Sequence, residues 1–316
     1  MKATVAAHPV QGLIKYYGLL DNRLRLPFHD SISVCTAPLK TVTTFVFQKG
    51  KEIVIDGEVP DSQTVSRIDS VVSEIKRLSG TEGEYKMVSQ SNFFSNMGLG
   101  ASSSGFAALT VAAAKAAGLD LSDKELSRIA TRGTGSASRS LTGWFSRWRA
   151  NIQEEFSHSF VIEDDLEMGM VAALVKPFES EQHNVHTGDL TFSLVECRLK
   201  LVHTFLYEME RAIKDHDVSR IGRLAERDSI LVYALTTISG GALVWRPDTL
   251  RVMAVVKALR EEGVECSFYV GTGPSVYVNS YPEDVPLIEE RIKELGINSV
   301  TLHVGGRARF VEDHLF

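Results

Sequence analysis

Gly98-Leu-Gly-Ala-Ser-Ser-Ser-Gly105 runs straight into Phe106-Ala-Ala-Leu-Thr-Val-Ala-Ala-Ala-Lys-Ala-Ala117. The second stretch is strongly helix-prone, because alanine loses no side-chain freedom in a helix and buries no polar group. The first is a turn of small residues, with three glycines and three serines in eight positions. Such a turn, feeding a helix, leaves unpaired backbone N–H groups and the positive end of the helix dipole beside short hydroxyls. That junction binds anions, and the usual anion is a phosphate. A phosphate-handling enzyme is therefore expected.

Composition sets the remaining bounds. The 316 residues suffice for two domains with a sizeable core. With 40 acidic and 34 basic residues the formal net charge is -6, so no global field favours nucleic acid. No apolar run reaches the length of a membrane span, and Met1-Lys-Ala-Thr-Val-Ala lacks a signal peptide's apolar stretch. Cys35, Cys197 and Cys266 are odd in number and scattered, which suits a reducing interior and neither a disulfide framework nor a metal site. A cytoplasmic enzyme that binds no membrane is the expectation.

Strands are read at residues 3–7 and 32–48, where β-formers such as Thr43, Thr44, Val46 and Phe47 cluster. Lys51 to Gly57 continues as a short hairpin arm. Val65, Ile68, Val71, Val72 and Ile75 then fall at helical spacing. Met87 to Phe94 reads as a strand before the glycine-serine loop, and Gly118 would end the helix that follows. Ser122-Asp-Lys-Glu125 is a capping box that starts another helix. The second half carries helical patterns at 199–213, 220–236 and 248–262, with strands at 170–175, 266–270, 276–278 and 300–304. The order is mixed α+β, and the polar stretch Glu179-Ser-Glu-Gln-His-Asn184 suggests a boundary, giving domains of 1–185 and 186–316.

Two further segments carry charge in suggestive places. His8-Pro-Val-Gln-Gly-Leu-Ile-Lys-Tyr-Tyr-Gly18 sets Lys15 among apolar and aromatic residues. Lys15 either reaches an anion from a partly desolvated wall or snorkels from a strand edge. Gly133-Thr-Gly-Ser-Ala-Ser-Arg-Ser140 offers Arg139 after residues small enough to admit a ligand. Its guanidinium either forks onto a phosphate or faces solvent. Trp144-Phe-Ser-Arg-Trp-Arg149 reads as a partly buried element, and His29-Asp30 as a buried turn.

Taken together, these segments resemble the GHMP kinase superfamily and, within it, the mevalonate phosphate and diphosphate decarboxylases. Ile14-Lys-Tyr-Tyr-Gly18 is similar to that family's Ile-Lys-Tyr-Trp-Gly, and Leu26-Pro-Phe-His-Asp-Ser-Ile-Ser-Val34 to its Leu-Pro-Leu-Asn-Asp-Ser-Ile-Ser-Val. The Gly98–Leu109 loop and Gly133-Thr-Gly-Ser-Ala-Ser-Arg-Ser-Leu141 match its phosphate loop and its Gly-Ser-Gly-Ser-Ala-Cys-Arg-Ser-Leu. Gly273-Pro-Ser-Val is a weaker fifth match. The resemblance implies a two-domain GHMP-kinase fold with the active site in the interdomain cleft. It also implies ATP and Mg²⁺, a small phosphorylated hydroxy acid as substrate, and a homodimer. Lys15 and Arg139 would be catalytic. Gly98, Leu99, Gly100, Ala101, Ser102, Ser103 and Ser104 would hold the nucleotide. Tyr16, Gly135, Ser136, Arg139, His186 and Thr187 would contact the substrate.

Two departures from the family pattern bear on chemistry. The diphosphate enzymes carry a second lysine directly after Tyr-Trp-Gly, and here that position is Leu19. Losing a cation weakens a diphosphate site, so the expected substrate is mevalonate 5-phosphate. The family's Asp-Ala-Gly-Pro reads Gly271-Thr-Gly-Pro274, so the acid that pairs with the lysine is missing. Either another carboxylate such as Asp228 swings in, or the enzyme is a slow or uncoupled variant; the alternative function is a 3-kinase that phosphorylates without decarboxylating.

Overall fold

The structure, a computed structural model, describes residues 1–22, 24–95, 97–150, 157–176, 193–240, 243–271 and 273–316. The N-terminal half contains strands β1 (Ala3–Ala7), β2 (Val10–Ile14), β3 (Leu19–Asp21), β4 (Leu26–Pro27), β5 (Ser31–Ala37), β6 (Thr41–Gln48) and β7 (Glu52–Ile55). Helix α1 (Ser62–Ser79) and β8 (Glu84–Ser91) precede the loop, and α2 (Ala101–Ala116), α3 (Asp123–Thr131) and α4 (Ala137–Thr142) follow it. Strands β9 (Phe145–Arg149), β10 (His158–Glu163) and β11 (Gly169–Ala173) come next, then α5 (Ser193–Lys214), α6 (Val218–Gly240) and α7 (Pro247–Glu261). The chain closes with β12 (Cys266–Val270), β13 (Val276–Ser280), α8 (Val285–Glu294), β14 (Ser299–Val304) and β15 (Arg309–Phe310).

Two large sheets organise these elements, and β3 and β4 pair as a separate two-stranded ribbon. One runs β15-β1-β6-β8-β7 and is covered by α1 and α2. The alanine face of α2 explains the cover: its small side chains let the helix lie directly on β1 and β6, with Ala107, Ala108, Ala112 and Ala113 fully buried. The other runs β10-β9-β5-β14-β11-β13-β12, with β2 paired to β5. It crosses from one half of the chain to the other where His303 and Val304 pair with Ala37 and Thr36.

Strand alternation divides the larger sheet into two faces. Met170, Ala172, Tyr269 and Tyr277 pack toward α5 and α6, whereas Val171, Ala173, Val270, Val276 and Val278 pack toward α7 and α8. The C-terminal β15 returns to β1, tying the two halves together.

Most expected elements are present, including the capping box, in which Ser122 and Glu125 satisfy each other's backbone N–H groups. The expected hairpin arm is different. Residues 52–55 do not fold back on β6 but lie parallel to β8, which intervenes between them. Asp61 caps α1 immediately afterwards and carries the chain across before β8 forms. The division expected at 185/186 lies outside the described residues. Strand β11, on its N-terminal side, pairs with β13 and β14 of the C-terminal half.

Candidate active site

The phosphate loop is held from three sides. Gly100, in the left-handed region at φ 83°, is the N-cap of α2, and no side chain caps that helix. Ser103 donates from Oγ to Gly100 O at 2.6 Å and accepts from the Val10 amide at 3.2 Å, fastening the loop to β2. Gly98 lies against Gly273, where a Cβ would sit 2.7 Å from Gly273 Cα, so backbone meets backbone across the two halves. Only glycine fits both positions.

This arrangement narrows the expected nucleotide cradle. Gly98, Gly100, Ser102 and Ser103 line a cavity of about 350 Å³, together with Lys15, Tyr16, Ser136 and Arg139. The side chain of Leu99 instead turns into the core, 3% exposed. Ser104 is buried with its hydroxyl on Thr41 Oγ1 at 2.7 Å. For Leu99, Ser104 and Ala101, which opens α2, backbone amides are what remains to offer an anion. Gly135 acts by absence: a Cβ there would lie 2.5 Å from Trp148 and 3.2 Å from the Tyr16 hydroxyl. His186 and Thr187 fall outside the described residues.

Lys15 follows β2 and is clamped by two helices. Its amide donates to Asp228 Oδ2 at 2.8 Å, and Arg198 Nη2 donates to its carbonyl at 2.6 Å. Arg198 of α5 and Asp228 of α6 form an ion pair with both side chains fully buried. Burial pulls the Lys15 ammonium down to about 8; Asp228 resists that shift and Arg139 adds to it. Asp228 therefore does not swing in, because it already stands behind Lys15 and holds its backbone.

Arg139 lies inside α4 and is 4% exposed. Its guanidinium sits 5.4 Å from the Trp148 ring centre and 6.0 Å from that of Tyr16, and Nη1 donates to Ser31 Oγ. Nε is buried without a partner. Two aromatic rings nearby and a place in the cavity wall suit this guanidinium to a planar anion.

Two cations in this cavity have no motif in the sequence. Arg25 and Arg67 line it as well, and Arg67 donates from Nε to Gly133 O at 2.7 Å. Burial, and then the nearby Arg25, bring the Arg67 guanidinium down to about 10. Four cations and no carboxylate among the lining residues make this a strongly positive pocket in an acidic chain. Such a pocket concentrates polyanions.

The residues present suit ATP, since an uncapped helix end and cations face one cavity. Mg²⁺ would arrive on the nucleotide's phosphates, with the exposed Ser102 beside them, because Mg²⁺ keeps most of its waters and binds few protein groups. His29 has a different use. It is buried, drawn down to about 3 by desolvation, and bonds Asp30 O, while the Asp30 carboxylate takes Arg147. Among the described residues, no helix is long and apolar enough to cross a membrane.

Comparison with known proteins agrees with this geometry. Residues 7–160 match the diphosphomevalonate decarboxylase-like N-terminal domain. A phosphomevalonate decarboxylase of Haloferax volcanii is 39% identical, covering 99% of this chain and 98% of that one. A diphosphomevalonate decarboxylase of Aspergillus fumigatus is 29% identical over 93% of this chain and 80% of its own. The mevalonate diphosphate decarboxylase of Enterococcus faecalis superposes with a TM-score of 0.89 at 26% identity, over 99% of each chain. A chain described as MDDEF in complex with MVAPP, AMPPCP and magnesium reaches a TM-score of 0.91 at 26% identity, again over 99% of each chain. With the phosphate loop, the clamped lysine and the stacked arginine meeting in one cavity, the chain belongs to the phosphomevalonate and diphosphomevalonate decarboxylase family of the GHMP kinase superfamily.

Proposed function

We propose that this enzyme uses ATP to decarboxylate (R)-mevalonate 5-phosphate, giving isopentenyl phosphate, ADP, phosphate and CO2. The observation that carries the choice of substrate is the placement of cations. Leu19 is 9% exposed and packs with Tyr16 and Trp148, so nothing replaces the family's second lysine at its own position. Arg25 and Arg67 supply charge instead, near Tyr16, and a compact monophosphate suits two guanidiniums.

The chemistry follows from the positions. A tertiary hydroxide leaves poorly and a phosphate leaves well, so the 3-hydroxyl oxygen first takes the γ-phosphoryl group, its proton passes to a phosphate oxygen, and the bond to ADP breaks. The loop amides and Ser102 hold the nucleotide, while Lys15 meets the 3-oxygen and incoming phosphoryl. The C3–O bond then breaks with its electron pair going to phosphate. The C1–C2 pair forms the C2=C3 double bond, and CO2 departs. Arg139 orients the carboxylate and neutralises phosphate charge as it moves. Mg²⁺ supplies charge neutralisation on the nucleotide when bound.

Gly271 favours one other reading, a 3-kinase that transfers phosphate and stops. Equal release of CO2 and ADP from mevalonate 5-phosphate is expected, measured with product mass, and ADP without CO2 would establish the kinase. For the substrate, Arg25→Ala is expected to raise KM for mevalonate 5-phosphate about tenfold, with kcat changed by less than about threefold, because one charge-assisted hydrogen bond in a partly buried site is worth about 1.5 kcal/mol. Preference of the native enzyme for the diphosphate would overturn the assignment.

The lysine makes a pH prediction. Its charged form is the useful one, so kcat/KM is expected to fall as pH rises through about 8. Adding a carboxylate with Gly271→Asp favours the ammonium and moves that limb upward by about one unit or more. Space exists, since a Cβ at 271 meets nothing closer than 3.7 Å. An unmoved limb would show that the titrating group is not Lys15.

The odd, unpaired cysteines support a cytoplasmic setting, as all three are free. A homodimer, implied by the family resemblance, is the assembly to test by light scattering.

A further inference from the structure

The position left empty by Gly271 has a neighbour on the same side of its strand. Tyr269 and Gly271 are two residues apart along β12 and its continuation, and alternation sets both toward the cavity. A Cβ at 271 would lie 3.7 Å from Tyr269 Cε1, so the ring lies beside the vacancy. Tyr269 is 1% exposed and lines the cavity.

The hydroxyl end is placed with equal care. A Cβ on Gly12 of β2 would stand 2.6 Å from the Tyr269 oxygen and 4.0 Å from Lys15 Cβ. Glycine at 12 thus opens the seat that lets the phenol reach the Lys15 side of the cavity. Burial, and after it the negative Asp228, push the phenol above its ordinary range, so it stays protonated and can donate but not accept a proton.

We propose that Tyr269 is a catalytic residue that stands beside the place of the absent family carboxylate: its phenol donates a hydrogen bond to the substrate's 3-oxygen beside Lys15. The proposal rests on the decarboxylase reading above. No proton leaves the phenol in either step. As the C3–O bond breaks and its electron pair moves onto the phosphate oxygen, the O–H dipole steadies the growing negative charge. The charge that the family places at 271 is supplied from behind Lys15 by Asp228, so contact and charge are divided between two residues.

Tyr269→Phe keeps the ring and removes only the hydroxyl. Gly12→Ala keeps the hydroxyl and displaces it. In rapid-quench single turnovers with ATP and mevalonate 5-phosphate, both variants are expected to form ADP ahead of CO2 and to accumulate the 3-phosphorylated intermediate. Steady-state CO2 release should fall about 10- to 100-fold, with KM values and melting temperature near native. CO2 release by Tyr269→Phe within about threefold of native would overturn the phenol's role alone, since one donor to developing charge is worth more than that. Failure of the native enzyme to turn over mevalonate 5-phosphate would instead overturn the substrate reading, and with it the 3-oxygen this phenol is assigned to meet.

Discussion

Arg139→Ala is expected to lower kcat about 10³-fold, the upper range for removing a single preorganised donor from a site of developing charge. The size follows from where the side chain sits. It is buried, backed by Trp148 and Tyr16, anchored to Ser31, lines the cavity, and has a buried, unpartnered Nε. Arg139→Lys restores charge but not the planar fork, and should recover only part of the loss. Steady-state assays of ADP and CO2 decide the matter: near-native turnover by the alanine variant would show that the carboxylate and phosphate are held elsewhere.

Asp228→Asn is expected to be the most destabilising conservative change near the site. It strips the counter-charge from Arg198 where both side chains are fully buried, and breaking such a pair costs about 3–5 kcal/mol. For a chain of this size that corresponds to a fall in melting temperature of about 10 °C. The double variant Asp228→Asn with Arg198→Met removes the stranded charge and should recover much of the stability. It should not recover activity, because the Lys15 carbonyl loses its Arg198 donor and the Lys15 ammonium loses the negative charge behind it. A melting temperature unchanged by the single variant would mean that the pair is not formed in solution.

These expectations draw on residues that were unequally legible in the chain. The glycine-serine loop could be read directly, because it is a contiguous run whose local chemistry is unusual, whereas Lys15 and Arg139 were marked by their runs with a bland alternative each and given their roles by the family resemblance. The capping box of α3 and the alanine helix α2 were legible for the same reason, since propensity and capping act within a few residues. Arg25, Arg67, Trp148, Arg198 and Tyr269 had no such signal. Arg67 lies on an amphipathic helix and Tyr269 on an apolar strand, where either would pass for framework. Asp228 was singled out as a replacement acid, but its role behind the Lys15 backbone depends on α5 and α6 closing over the end of β2.

Local sequence by itself marked the start of α2 as a candidate phosphate site and a lysine and an arginine as candidates to face it. The family match then named the reaction. Only the tertiary structure decided which side chains of the loop turn inward, since Ser104 finds Thr41 across 63 residues of chain. It also decided that four cations converge without a carboxylate, and that a phenol stands beside Gly271. The physical reason is range. Helix propensity, caps and turn chemistry are set by neighbours along the chain, whereas charge compensation and desolvation depend on groups that only folding brings within a few ångströms.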